Sequence, residues 1–125
     1  MNKLTSIVAA AILAIPFAGQ THAQKLTEQF IPIGESPGLS GSQTYIGRIQ
    51  RFDAASGTLS LDANGKVHDV RITDDTRIWL DRSASKQTNL QGDPSDFQAG
   101  RRAEVSFVDP ALRGTASWVK VETDN

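Results

Sequence analysis

The chain has 125 residues, no cysteine and a formal net charge of −1, with 13 basic and 14 acidic side chains interleaved along it. The lack of cysteine excludes disulfide bonds, so core packing and strand pairing must stabilise the fold alone. The balanced charge argues against nucleic acid or an anionic membrane surface as a partner, because both are bound through an excess of basic side chains.

The first 23 residues have the features of a cleavable signal peptide. Lys3 supplies a positive charge, an apolar stretch runs from Ile7 to Phe17, and small residues lead up to Ala23. The stretch has about half of the roughly 20 apolar residues that a membrane-spanning helix needs. We therefore expect cleavage after Ala23, no membrane insertion of the product, and a periplasmic or secreted location. About 100 residues remain, which is enough for one domain.

Residues 24–43 are predicted to form a flexible N-terminal arm. Two prolines and three glycines in this segment preclude a regular helix. Phe30, Ile31 and Ile33 are large apolar side chains on an otherwise polar segment, and something must cover them. We favour their folding back over the mouth of the domain that follows. The alternative is that they dock on another protein by adding a strand to its sheet.

From Thr44 onward, short β-rich segments alternate with turn signals, at a spacing typical of a barrel or a sandwich. Leu59 and Leu61 alternate with polar residues, as do Val70 and Ile72, which predicts that these four side chains lie on the inner face. The segments cover residues 45–52, 58–62, 67–72, 76–80, 102–108 and 115–122.

Three further signals concern turns and loops. Asn64-Gly65 predicts a type I′ hairpin turn, because both residues tolerate a positive φ. Gly47, inside the first segment, predicts a bulge or a bend. Residues 81–99 are polar and predict a long surface loop with one helical turn near Ser95, a suitable N-cap.

Five or six antiparallel strands are too few for a comfortable two-sheet sandwich, and closure into a barrel would remove exposed edges. The predicted fold of residues 44–123 is therefore all-β, a small five- to six-stranded antiparallel OB-like barrel that follows the flexible arm.

The order of several short motifs supports this fold. They are Gly47 to Ile49, Gly57 to Leu61, Asp75 to Ile78, Phe97 to Gly100 and Ala116 to Val121. In this order they resemble small exported bacterial OB-like barrel domains of unknown function. More distantly, the first strand and hairpin are similar to the CusF-type periplasmic copper-chaperone barrel, whose methionine and histidine ligands are not matched here. The resemblance implies a fold and no activity.

No metal or cofactor is assigned. After removal of the signal peptide the chain keeps no cysteine, no methionine and one histidine, His68. This composition argues against copper and zinc sites, which use sulfur or several cysteine, histidine and carboxylate ligands. Calcium prefers oxygen ligands, but no calcium-loop pattern organises the aspartates near the long loop, which are also ordinary turn formers. They are Asp74, Asp75, Asp81, Asp93 and Asp96.

No catalytic residue is assigned either, and we expect the protein not to be an enzyme. A Ser-His-Asp arrangement would have to use His68, and strand alternation places the adjacent Asp69 on the opposite face. There is no G-x-S-x-G motif. No acidic residue lies at a predicted inward position of a strand, where burial would raise its pKa.

These observations predict an exported, non-catalytic binding or interaction module of the cell envelope, with an envelope protein or a small ligand as its partner. Its candidate ligand face is an outward surface of the barrel that carries Tyr45, Arg48, Arg71 and Trp79. The competing interpretation is a solvated face with cross-strand charge pairs. The alternative function is a periplasmic accessory protein that handles a hard cation such as calcium rather than copper.

Overall fold

The structure, a computed structural model, describes residues 27–123, so the predicted signal peptide and the start of the arm lie outside the described residues. Residues 27–123 form seven strands and three short 3-10 helices. No helix in this part of the chain is long and apolar enough to cross a membrane. The strands are β1 (Thr44–Asp53), β2 (Thr58–Ala63), β3 (Lys66–Arg71), β4 (Arg77–Asp81), β5 (Leu90–Gln91), β6 (Arg102–Phe107) and β7 (Ala116–Glu122), and the 3-10 helices span Glu28–Phe30, Ser83–Ser85 and Pro94–Asp96.

The strands form one mixed sheet in the order β3-β2-β1-β6-β7-β4-β5. Neighbouring strands are antiparallel except β4 and β7, which are parallel. The all-β prediction is confirmed, but a closed barrel of five or six antiparallel strands is not. The residues after Thr73 form the separate strand β4, which pairs with β7. Two residues of the long loop form β5, which pairs with the other edge of β4.

The sheet is not closed, and we call the gap between the end of β3 and the start of β7 the seam. Among residues 27–123, strand pairing across the seam consists of a single parallel bridge between Arg71 and Thr115. The backbone N–H of Arg71 donates to the carbonyl oxygen of Gly114 at 2.9 Å. The seam is therefore a place where the regular hydrogen-bond ladder stops.

β1 is long because it serves two partners: its first half pairs with β6 and its second half with β2. The bulge lies between Ile49 and Arg51, not at Gly47. Gly47 is required for a different reason, since a Cβ at this position would collide with the backbone carbonyl of Asp62.

The turn predictions are partly correct. Asn64 and Gly65 have φ values of 56° and 80°, which confirms the type I′ turn between β2 and β3. Residues 81–99 contain two helical turns rather than one, Ser83–Ser85 and Pro94–Asp96, and the N-cap of the second is Asp93 rather than Ser95. Asp93 takes this position because its carboxylate accepts the backbone N–H of Ser95 at 2.8 Å.

The apolar core lies on one face of the sheet. The inner positions predicted on β2 and β3 are confirmed, because Leu59, Leu61 and Val70 are buried and Ile72 packs against them. The buried core residues are Ile49, Leu59, Leu61, Val70, Ile78, Phe97, Ala103, Val105, Phe107, Ala116, Val119 and Val121.

Candidate functional site: the arm-covered face and the seam

The opposite face of β4, β6 and β7 is also buried, although it is polar. We call it the arm-covered face and define it by five side chains: Trp79, Asp81, Glu104, Trp118 and Lys120. They alternate with core residues along their strands, so they point away from the core. In the sheet register, Lys120 on β7 lies between Trp79 on β4 and Glu104 on β6.

Residues 27–43, hereafter the arm, pack on this face instead of extending away from the domain. Glu28, Ile33 and Ser36 are buried. Phe30 remains 63% exposed and Ile31 is half-buried. The three apolar residues that the sequence suggested for docking are therefore not presented together. Ile33 folds back onto the molecule, over a sheet face rather than over the mouth of a barrel.

The deepest contact of the arm is a buried ion pair. Lys120 Nζ donates to Glu28 Oε1 at 2.7 Å and to Ser36 Oγ at 3.0 Å. Ser36 Oγ donates in turn to Glu28 Oε1 at 2.6 Å. Lys120 Nζ also lies 4.5 Å from the centroid of the Trp118 ring, a distance typical of a cation–π contact. Lys120 is the one buried cation among residues 27–123, and the arm supplies its counter-ion.

Glu104 is held by hydrogen bonds without a cation. Its Oε1 accepts the backbone N–H of Gly34 at 2.9 Å, and its Oε2 accepts the hydroxyls of Ser40 at 2.6 Å and Thr44 at 2.8 Å. Two of these donors belong to the arm and the third begins β1. A buried carboxylate without a counter-ion is tolerated here because both of its oxygens have donors.

Asp81 joins the arm to the start of the long loop. Its Oδ2 accepts the backbone N–H of Ile33 and its Oδ1 accepts that of Ser83, at 2.9 and 2.8 Å. Burial raises the pKa of Asp81, but the hydrogen bonds from Ile33 and Ser83 and the attraction of Lys120 outweigh it, so the pKa lies below its ordinary value of 3.8. The ionised form therefore stabilises the folded state.

This lowered pKa predicts a loss of stability in acid. The stabilisation by ionised Asp81 is present above the unfolded-state pKa and disappears as the pH falls through the lower folded-state pKa. We expect the difference in unfolding free energy between the wild type and Asp81→Asn to be constant from neutral pH to about pH 5 and to shrink toward pH 3. Urea denaturation across this range measures it, and a difference that stays constant to pH 3 would contradict the assignment.

The two tryptophans of the arm-covered face have unsatisfied donors. The Nε1–H groups of Trp79 and Trp118 are buried and, within residues 27–123, have no hydrogen-bond acceptor. A buried donor without an acceptor destabilises the arrangement that contains it. The arm therefore satisfies the charged groups of this face but not its indole groups.

The four predicted ligand-face residues do not come together. Tyr45 packs against the core side, whereas Trp79 is buried on the opposite face. Arg48 is exposed and donates to the carbonyl oxygen of Gly100 at 3.0 Å. Only Arg71 lies at the seam.

At the seam there is a shallow depression of about 380 Å³. Arg71 is exposed there, and the Asp69 carboxylate accepts the hydroxyl of Ser60 at 2.6 Å. The wall thus offers a guanidinium, a carboxylate and two threonine hydroxyls. The lining residues are Thr58, Asp69, Val70, Arg71, Gly114 and Thr115.

An aromatic cluster adjoins the seam through β3 and the loop before β7. The rings of Tyr45 and His68 stack with centroids 3.9 Å apart, and the guanidinium carbon of Arg113 lies 5.1 Å from the Tyr45 centroid. Arg113 has a φ of 53°, which is uncommon outside glycine. Its guanidinium is fixed by the carbonyl oxygens of Pro110 and Ser42 at 2.9 and 2.8 Å.

Sequence reasoning missed the buried charges. It took the face opposite the core for a ligand-binding or a solvated surface, so Glu104 and Lys120 were not considered, yet both are fully buried. The available signal was the placement of Trp79 and Trp118 on that same face, since two large aromatic side chains on one surface predict a cover.

Residues 27–123 contain no group of three or more histidine, cysteine or acidic side chains placed to hold a metal ion. Comparison of the chain with protein-family models, with curated proteins and with solved structures finds no match.

Proposed function

We propose that the chain is an exported, non-catalytic binding module of the cell envelope and that its ligand lies in the depression at the seam. The depression carries this proposal, because it combines an exposed guanidinium with hydroxyls at the point where strand pairing stops. Its volume of about 380 Å³ leaves room for a small molecule at an open, mainly polar surface.

The proposal includes an OB-like architecture, in which β3 and β4 are two halves of one strand interrupted at residues 72–76. The parallel pairing of β4 with β7 supports this, as does the parallel bridge of Arg71 with Thr115 at the end of β3. OB-like barrels bind ligands through loops and one strand face. On this interpretation, the seam is the opening between two nearly joined strands.

The chemistry of the lining favours a small polar ligand with an acidic group. The Arg71 guanidinium is suited to a carboxylate or a phosphate, because its fork of donors can engage two oxygens at once. The hydroxyls of Thr58 and Thr115 and the carboxylate of Asp69 would receive hydroxyl or amino groups of the same ligand.

The buried charged groups are engaged in structural hydrogen bonds and do not belong to the proposed site. Glu28, Asp81, Glu104 and Lys120 are each hydrogen-bonded to the arm, to the loop that follows β4 or to one another. None of them faces the seam as a free acid or base. Export remains an expectation from the signal-peptide features of residues 1–23.

Native mass spectrometry of the protein, purified gently from the envelope fraction of its own host, tests this function. We expect the wild type to carry a small-molecule adduct and Arg71→Gln to carry at least tenfold less of it. The control is Lys86→Gln, which removes the same charge from the long loop and should keep the adduct. Equal occupancy in Arg71→Gln, or a wild type without a small adduct, would count against the seam as the binding site.

A further inference from the structure

The arm and the face beneath it match each other group by group. Glu28 of the arm meets Lys120, and the backbone N–H groups of Ile33 and Gly34 meet Asp81 and Glu104. We propose that the arm-covered face is an interaction surface whose partner is the arm of a second copy of this chain, so that two chains pair by reciprocal exchange of their arms. This goes beyond ligand binding at the seam.

The contacts that hold the arm do not require arm and sheet to belong to one chain. Four of them join residues that are 48 to 92 positions apart in sequence, so they are tertiary contacts that a second chain can supply with the same geometry. Complementary charge sets the specificity, because the face has one buried ammonium, Lys120, and the arm brings the carboxylate of Glu28 to it.

The last part of the arm, before β1, contains two glycines with a left-handed backbone conformation. Gly38 and Gly41 have φ values of 76° and 84°, and a Cβ built on either would meet no atom within 4 Å. A glycine can adopt backbone angles that other residues rarely reach, so the chain can change direction at these positions. Such a change at Gly41 would release the hydrogen bond of Ser40 to Glu104 together with the other contacts of the arm.

The packing of the arm on its own sheet face also leaves some polar groups without full compensation. The ion pair of Lys120 with Glu28 is desolvated, which offsets much of its attraction. The Nε1–H groups of Trp79 and Trp118 gain no acceptor from the arm. Both features lower the free-energy cost of releasing the arm, and an arm from a second chain would recover the same contacts.

Effective concentration determines when exchange appears. An arm tethered by a short linker competes as if it were present at about millimolar concentration. We therefore expect the wild type to be monomeric at micromolar concentration. Arm exchange should become measurable when substitutions make the arm contact unfavourable within each chain but leave it favourable between two chains.

Two charge-reversed full-length chains create that situation. In Glu28→Lys the arm and its own face are both positive at this contact, and in Lys120→Glu both are negative. When the two variants are mixed, each arm matches the face of the other chain. We expect light scattering to show that each variant alone is monomeric at about 10 μM and that the equimolar mixture forms a one-to-one dimer. In the mixture, acrylamide should quench tryptophan fluorescence no more than it does in the wild type.

The double variant Glu28→Lys/Lys120→Glu is the control, because it restores an opposite-charge pair within one chain and should be monomeric with protected tryptophans. A protected, monomeric double variant together with a mixture that stays monomeric would overturn the proposal. If the reversed charges prevent folding, the wild type provides the second measurement: concentration to about 1 mM followed by dilution should leave dimers detectable by native mass spectrometry, and their absence would equally overturn it.

Discussion

Replacing Lys120 by methionine is expected to lower the free energy of unfolding by about 3–5 kcal/mol, because the Glu28 carboxylate is left buried without its counter-ion. The Lys120 side chain is fully buried, and its ammonium donates to both Glu28 Oε1 and Ser36 Oγ. Methionine has a similar volume, so the loss is electrostatic rather than a cavity. Urea denaturation at neutral pH, followed by tryptophan fluorescence, measures the change.

Two companion variants isolate the cause. Glu28→Gln combined with Lys120→Met removes both charges and should recover most of the stability, since a buried pair replaced as a whole costs little. Lys66→Met changes an exposed lysine on β3 and should shift the stability by less than about 0.5 kcal/mol. A Lys120→Met protein as stable as the wild type would mean that the arm does not bury this lysine.

Replacing Glu104 by leucine is expected to cost about 1–3 kcal/mol, because the donors of Gly34, Ser40 and Thr44 lose their acceptor and the Thr44 hydroxyl is then buried without one. Leucine fills similar space but accepts no hydrogen bond. We also expect greater acrylamide quenching of tryptophan, since two of the three contacts hold the arm on the face that carries Trp79 and Trp118.

Glu35→Leu is the matched control for this variant. Glu35 lies on the exposed side of the same arm, so its replacement should leave both the stability and the quenching close to those of the wild type. Glu104→Gln, which retains one carbonyl oxygen, should fall between the wild type and leucine. If Glu104→Leu lost less than about 0.5 kcal/mol, the three hydrogen bonds would not be energetically important.

The sequence predicted correctly those features of the fold that depend on residues close together in the chain. Alternation in β2 and β3 correctly placed Leu59, Leu61 and Val70 in the core, since side chains two apart on a strand share a face. Asn64-Gly65 correctly predicted the hairpin turn, because its positive φ values are a property of those residues.

Contacts between distant segments could not be predicted in this way. Alternation along β6 and β7 places Glu104 and Lys120 opposite the core. Whether that face is exposed to solvent or buried depends on whether the arm packs on it. Lys120 and Glu28 are 92 positions apart, and no local pattern links them. The parallel pairing of β4 with β7 and the two-residue strand β5 also depend on tertiary placement.

For the candidate ligand site, one of the four predicted residues lies at the depression. Arg71 is there because it ends β3 at the seam, whereas Trp79 follows the alternation of β4 onto the arm-covered face. The other polar lining groups, Thr58, Asp69 and Thr115, gave no distinguishing signal, since threonine and aspartate are common on strands and in turns.

Amide hydrogen exchange of Ile33 and Gly34 most directly tests the central claim that residues 27–43 are part of the folded domain. Their N–H groups donate to the buried carboxylates of Asp81 and Glu104. We predict that both amides exchange far more slowly than the amides of an unstructured peptide. Exchange of both amides at the rate of an unstructured peptide would show that the arm is free in solution and that the polar face beneath it is open.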